Sequence, residues 1–417
     1  MAAIKPMSLR QNFSWAFTGN VIYAACQWGM LMALAKLGTP AVVGQYTLGL
    51  AITAPVFMLT NLHLRAVQAT DAKDEYSFSE YFGLRISSSA IAMAIILLIV
   101  CIGGYHGETA FVIILLGTAK FIESVSDICF GLAQKHEYMQ VIAKSQILKG
   151  ILSLVMLVII LVFTGSIVQS IVGLVISWLA VLLLYDLVNT RSFSTLQPVF
   201  SSRKLWPLVR LSFPLGVVMA LISLNTNIPR YFIEHELGIE ALGYFSAMAY
   251  LIIAGNTVVA ALGQSASPRM AKYFAFANKQ AYRRLLFKMV LLGVGLGFMG
   301  LIVAVIFGRY ILALLYTPEY AEYAGILNLI MISAGIGYVT SFLSNGLTAA
   351  RFFKIQTAIF CLVTLVNLIS CAFLIPIAGL KGAAYALIIT SLVQFIAIIL
   401  AIFNKVFNSW NNYRCTP

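Results

Sequence analysis

Three observations predict an all-α polytopic membrane protein with about twelve transmembrane helices in two six-helix lobes. Hydrophobic residues make up 61% of the 417 and charged residues only 10%, with a mean hydropathy of +0.94. Soluble domains run near 25% charged. Uncharged runs at 289–308, 323–350, 355–380 and 382–404 are each long enough to cross the hydrocarbon core. Spans can be drawn at about 12–35, 41–62, 84–105, 109–132, 145–164, 167–188, 209–231, 241–265, 286–307, 322–348, 355–376 and 382–404. The third observation is where the charge falls on that ruler. Of 27 Lys and Arg residues, Lys36, Arg230, Arg309 and Lys381 lie on one side and Lys120 within the membrane; all the others lie on the opposite side. By the positive-inside rule that side, with both termini, is cytoplasmic. The net charge of +13 is therefore a topology signal with anionic membrane lipid as its partner, and it excludes a nucleic-acid partner.

Each span is justified by the same ruler. The segment behind MAAIKPMSLRQN carries no small-residue cleavage pattern and reads as a retained first span. The fifth and sixth must share 150–185, with a turn near Gly165-Ser166. Between the sixth and seventh, 191–208 carries Phe193, Leu196, Val199, Leu205 and Trp206 among Ser and basic residues, the pattern of an amphipathic cytoplasmic linker. It divides an N-terminal lobe, 1–190, from a C-terminal lobe, 209–417. KLGTPAVVGQY (36–46) and ELGIEALGYF (236–245) occupy matching turns, as FGLAQK (130–135) and NGLTAAR (345–351) occupy matching span ends. Six spans per half make this a parallel repeat. The six cysteines, 26, 101, 129, 361, 371 and 415, show no pairing with one another or with His, so neither a metal nor a cofactor is expected.

Lys120, Glu123 and Asp127 interrupt the fourth span. Their i, i+3, i+7 spacing puts them on one helical face. A mid-membrane charge costs about 2.5–3.5 kcal/mol unless it is paired or hydrated, so the face is expected to look into a bundle interior or a wet cavity. Lys120 suits an anionic group as a compact cation. Glu123 and Asp127, like charges at i, i+4, suit a coupling proton or sodium ion, because their repulsion tends to raise one carboxyl pKa. The plainer alternative is a Lys120–Glu123 pair that only locks the bundle.

Several segments resemble the lipid-linked oligosaccharide flippases, also called O-antigen or polysaccharide biosynthesis flippases, of the multidrug/oligosaccharidyl-lipid/polysaccharide exporter superfamily. They are NLHLRAVQATD (61–71), KFIESVSDICFGLAQK (120–135), NIPRYFIEHELGIEALGYF (227–245), GQSASPRMAKYF (263–274) and SNGLTAARFFKIQ (344–356). The resemblance implies two lobes around a central cavity in the bacterial cytoplasmic (inner) membrane. It also implies alternating access, a glycan carried on polyprenyl pyrophosphate, coupling to H+ or Na+, and contact with polysaccharide assembly proteins.

Further candidates follow. Arg230 shares a face of the seventh span with Ser223 and Asn227, where Pro229 loosens the helix and Asn225 adds hydrogen bonds for a sugar or phosphate. Arg65, Arg85 and Arg269, at the cytoplasmic ends of spans, can receive the pyrophosphate or serve only as positive-inside residues. Asp186 can close a gate with one of those arginines. Asn20 and Gln27 suit either the cavity or helix–helix bonding, and Trp15, Tyr23 and Tyr338 suit stacking on sugars.

Two other functions compete. A drug or metabolite exporter of the same fold favours a mainly acidic cavity, against which Lys120 and Arg230 weigh. A membrane glycosyltransferase, polymerase or ligase needs an acidic external motif or an external domain, and neither is present; no catalytic residue is assigned. The DAKDE run (71–75) reads as a solvated charge run, and no Walker A sequence suggests ATP drive.

Overall fold

The computed structural model describes residues 9–71, 74–276, 278–350 and 352–407. Among the described residues the protein is all-α, with about ten to twelve long apolar helices. Ten stretches among the described residues are long and apolar enough to cross a membrane. The last, Ile355–Asn404, breaks at Gly379, where φ is +59°, a conformation that glycine adopts without the Cβ penalty. That break and the 29-residue helix Leu9–Leu37 account for the twelve-span expectation. Lys5, Lys73, Arg351, Arg414 and Cys415 lie outside the described residues.

The chain divides into two compact units, Met1–Ser223 and Leu224–Pro417. The division falls inside the seventh span, past the linker where the charge pattern puts it. In the first unit, α1 (Leu9–Leu37), α2 (Pro40–Thr60), the short α3 (Leu64–Thr70) and α4 (Phe78–Ile102) precede α5 (Gly107–Lys135) and α6 (Met139–Thr164). α7 (Ile167–Val181) runs through a π-turn at Leu182–Asp186 into α8 (Leu187–Arg191). The helix starts and stops follow local chemistry. Thr39 caps α2 through Val42 N with Pro40 at its first position, and Gly165 closes α6 with φ +66° at the turn expected there. α5 packs against α2, α3, α4, α7 and α8, which makes it the pillar of this unit. α6 instead exposes Ile151, Leu152, Val155, Ile159 and Phe163, an apolar face suited to lipid.

The linker is docked and not free. Phe193 lies 5.3 Å from both the His136 and Tyr138 rings, and Val199 N donates to Ser79 O at 3.0 Å. Residues 202–208 already belong to the long helix α9 (Ser202–Leu237), which continues through Pro229. Gly83 lets the linker pass close to α4, since a Cβ there would collide with the Val199 carbonyl. Gly83→Ala is therefore expected to cost about 1–3 kcal/mol, read as a lower melting temperature of the purified protein.

The second unit holds α10 (Ile239–Ala275), α11 (Lys279–Leu315), a 3-10 turn at Pro318–Tyr323, α12 (Ala324–Ala349) and α13 (Phe353–Ala401). Its core gathers Tyr282, Phe342, Leu347 and Val363 from α11, α12 and α13. Asn367 Nδ2 donates to Asn225 O at 2.7 Å and to Asn225 Oδ1 at 2.9 Å, and Thr390 Oγ1 donates to Asn367 Oδ1 at 3.4 Å. Asn225 thus ties α9 to α13, where the sequence suggested a group for sugar or phosphate. Tyr338 is likewise buried in this unit's core, its hydroxyl donating to Ile252 O, and is not placed to stack on a sugar.

Candidate functional site

A cavity of about 470 Å³ opens in the first unit, lined by Arg65, Lys120, Glu123, Asp127, Gln134 and apolar residues that include Phe57 and Met219. The face of α5 predicted from the spacing is the polar wall of this cavity. Lys120, Glu123 and Asp127 are each about 30% exposed, in contact with it and not with lipid alone. α2 ends in a tight turn in which Leu62 and His63 both take φ +53°, a strained conformation for side-chain-bearing residues. The turn redirects the chain so that α3 packs on α5, and Arg65 comes from its first turn.

Two ion-pair systems occupy the wall. In the first, Lys120 Nζ lies 2.7 Å from Glu123 Oε2, and the Tyr23 hydroxyl donates to Glu123 Oε1 at 3.0 Å. In the second, Asp127 bridges two arginines, Arg65 Nη1 at 3.3 Å and Arg85 Nη2 at 3.1 Å. Arg65 also donates through Nε to Gln134 Oε1 at 3.0 Å. Each acid of the expected coupling pair thus has a cation at hand, Lys120 for Glu123 and the two arginines for Asp127. Arg65 and Arg85 differ sharply. Arg65 is about one-third exposed at the cavity, whereas Arg85 is fully buried and reaches the site only through Asp127. The lining itself holds two cations and two acids, and the buried Arg85 behind Asp127 adds a third cation to the network.

Asp186, expected to close a gate with Arg65, Arg85 or Arg269, is paired in this structure with Lys149. Asp186 Oδ2 lies 2.7 Å from Lys149 Nζ, and both side chains are buried. Lys149 also donates to Ser126 Oγ and sits 5.1 Å from the Phe130 ring centroid, a ring that Arg65 approaches at 5.6 Å. The reason is the π-turn ending at Asp186. It changes the helical register, and the carboxylate lies against α6. Sequence reading had counted Lys149 among the topology charges. One signal was available: Lys149 falls inside the drawn fifth span.

Other candidates are placed as follows. Asn227 Oδ1 accepts from Arg230 Nη1 at 2.9 Å, and the Arg230 guanidinium lies 5.8 Å from the Tyr250 ring centroid, all in the second unit. Arg269 is exposed on α10. Asn20 accepts from Gln146 at 3.0 Å, which is helix–helix bonding between α1 and α6. Trp15 lies 5.8 Å from Lys144 Nζ. Within the DAKDE run, the described acids make specific contacts. Asp74 pairs with Lys135 at 2.5 Å, while Asp71 accepts from Glu75 N and Tyr76 N. Burial pushes the Asp71 carboxyl up, but those backbone donors and Lys135 outweigh it and hold the carboxyl below its ordinary value. Among the described residues no three His, Cys, Asp or Glu side chains are grouped to hold a metal ion.

Comparison with known proteins agrees with this architecture. Residues 9–274 match the family described as polysaccharide biosynthesis protein. The chain is 30% identical over 393 residues to the capsular polysaccharide biosynthesis protein CapF of Staphylococcus aureus, an alignment covering 93% of this chain and 97% of that one. Among solved structures, it resembles an inward-facing multidrug resistance MATE family transporter with a TM-score of 0.74. That match has 13% identity and covers 95% of this chain and 99% of that one. It also resembles the lipid II flippase MurJ in an inward closed conformation, with a TM-score of 0.67, 14% identity, and 95% and 89% of the two chains covered. At such identities these likenesses are of fold. They show that this chain shares the fold of those multi-pass membrane proteins. The chain belongs to the polysaccharide biosynthesis protein family.

Proposed function

We propose that this transporter is a flippase that moves a polyprenyl-pyrophosphate-linked oligosaccharide from the cytoplasmic to the outer leaflet by alternating access, driven by a proton or sodium gradient. The observation that carries the reading is the cavity wall in which reachable cations, Lys120 and Arg65, are held by acids that a headgroup can replace. A phosphate matches the fork of Arg65 better than the single 3.3 Å contact that Asp127 makes. Protonation of Glu123 or Asp127 releases its cation to the anion, and loss of the proton takes the cation back. Arg85 holds Asp127 in place, and the Lys149–Asp186 pair braces α5 through Ser126. Within the second unit, Arg230 with Asn227, and Arg269 on α10, are further candidates for binding an anionic headgroup. Membership of the polysaccharide biosynthesis family supports the glycan, and the charge asymmetry supports cytoplasmic termini. Contact with polysaccharide assembly proteins belongs to the same reading.

The test is a deletion strain without a redundant flippase. Lipid-linked glycan is expected to accumulate on the cytoplasmic leaflet, and normal glycan export would sink the proposal. Lys120→Ala and Arg230→Ala are each expected to abolish rescue at normal expression, so full rescue by both would remove the cationic-cavity argument.

A second reading is a multidrug or metabolite antiporter. The solved structures favour it over the flippase, since MATE transporters outnumber MurJ among the likenesses, although those likenesses are of fold alone. Against it, each cavity acid is already paired with a base, where an organic cation needs an open carboxylate. Drug hypersensitivity of the deletion strain with unaltered glycan would establish this second reading.

A further inference from the structure

Away from the charged cavity, the second unit carries a long apolar groove with a basic end. Two adjoining hollows of about 570 and 390 Å³ share Val290 and Phe395 in their linings, so they form one channel along the surface. Its floor runs on one face of α11 through Phe287, Val290, Val294, Phe298 and Leu301, spaced by three or four residues as a helical stripe requires. α12 and α13 form the other walls, with Leu343 and Ile399 at one end and Met331 and Leu392 at the other. Gly297 and Gly335 line the channel where α11 crosses α12. A side chain at Gly297 would run into the Gly335 backbone, so the two glycines allow the close crossing and leave no bulk to block the channel.

Polarity changes abruptly at one end. Arg283 and Arg284 line the first hollow and are exposed, with Lys279 one turn before them and Lys288 one turn after, and no acid in the stretch 279–288. From Arg284 to Leu301 the floor extends about 25 Å at 1.5 Å per residue. That is longer than the roughly 15 Å half-thickness of a hydrocarbon core, so an acyl chain fits along it at full depth. A uniformly apolar surface would hold any lipid equally. A groove with two guanidinium groups at its mouth selects a lipid whose headgroup is an anion, because basic pockets between transmembrane helices bind anionic heads.

We propose that this groove between α11, α12 and α13 is a binding site for one anionic phospholipid. Its phosphate lies on Arg283 and Arg284, and its acyl chains lie along Val290, Val294 and Phe298. The site is separate from the substrate cavity and does not depend on what the transporter carries. Charge complementarity decides the occupant, and the leaflet is the one that the positive-inside rule assigns to these arginines.

The experiment is native mass spectrometry of the full-length protein in detergent, titrated with phosphatidylglycerol or phosphatidylcholine. Phosphatidylglycerol is expected to be retained as a single tightly held lipid. The Arg283→Ala/Arg284→Ala variant should bind it roughly ten- to thirty-fold more weakly. A second variant, Val294→Trp, fills the channel midway and should lower retention with both arginines present, which headgroup attraction alone would not explain. Equal retention of phosphatidylcholine, or unchanged retention in both variants, overturns the proposal. So does retention of undecaprenyl phosphate with no retention of phosphatidylglycerol, which would assign the groove to a polyprenyl carrier.

Discussion

Lys149→Met is expected to lower the stability of the first unit by about 3–5 kcal/mol, the largest single effect outside the cavity itself. Lys149 and Asp186 are 3% and 0% exposed, and their 2.7 Å contact joins α6 to the end of the π-turn. Removing the cation leaves the fully buried Asp186 carboxylate without its ion-pair partner, while its Oδ1 already lacks a hydrogen bond. The pair as a whole is another matter. Desolvating two charges costs about what their attraction returns, so Lys149→Met combined with Asp186→Leu should recover most of the loss. Melting of the purified protein in detergent reads both variants. Equal melting temperatures for the single variant and the parent would show that the pair does not brace α5. Transport by the double variant then separates bracing from coupling: a brace tolerates the exchange, whereas a titrating Asp186 does not.

Asp127→Asn is expected to abolish uphill transport while leaving downhill exchange. Asp127 is the one acid held by two arginines, and those arginines differ in access. Arg85 is fully buried, so loss of the carboxylate charge strands a cation that has nowhere to go, and stability falls. Arg65 lies at the cavity and becomes free for an anion, so headgroup affinity should hold or rise. An asparagine still offers a carbonyl to one guanidinium, which limits the stability loss relative to Asp127→Ala. Proteoliposomes with and without an imposed ion gradient separate these effects. Gradient-driven accumulation that survives Asp127→Asn removes Asp127 as the coupling group, leaving Glu123, which Tyr23 and Lys120 hold in the first pair system.

Much of this site was legible in the sequence because charge in a membrane is expensive. The cost of Lys120, Glu123 and Asp127 predicted a polar face on one helix, and that face lines the cavity. The same bookkeeping of charge and hydropathy located the turn at Gly165 and the break between the last two spans, where glycine backbone geometry marks both ends. Partners were harder to read. Asp186 and Lys149 are 37 residues apart, on helices whose register is shifted by the π-turn, so regular helical spacing could not bring them together. Asn225 looked like a ligand group until Asn367, 142 residues away, used both of its oxygens.

From composition and spacing alone came the class of protein, about ten to twelve long apolar helices, and three charges sharing one face of α5. Those properties follow from the bilayer as a solvent, which acts on each helix separately. The fold alone decided which cation each acid meets, that Arg65 is reachable while Arg85 is not, and that a basic groove lies along α11. Helical periodicity says which side chains share a face, but a short-range ion pair depends on which neighbouring helix stands opposite that face.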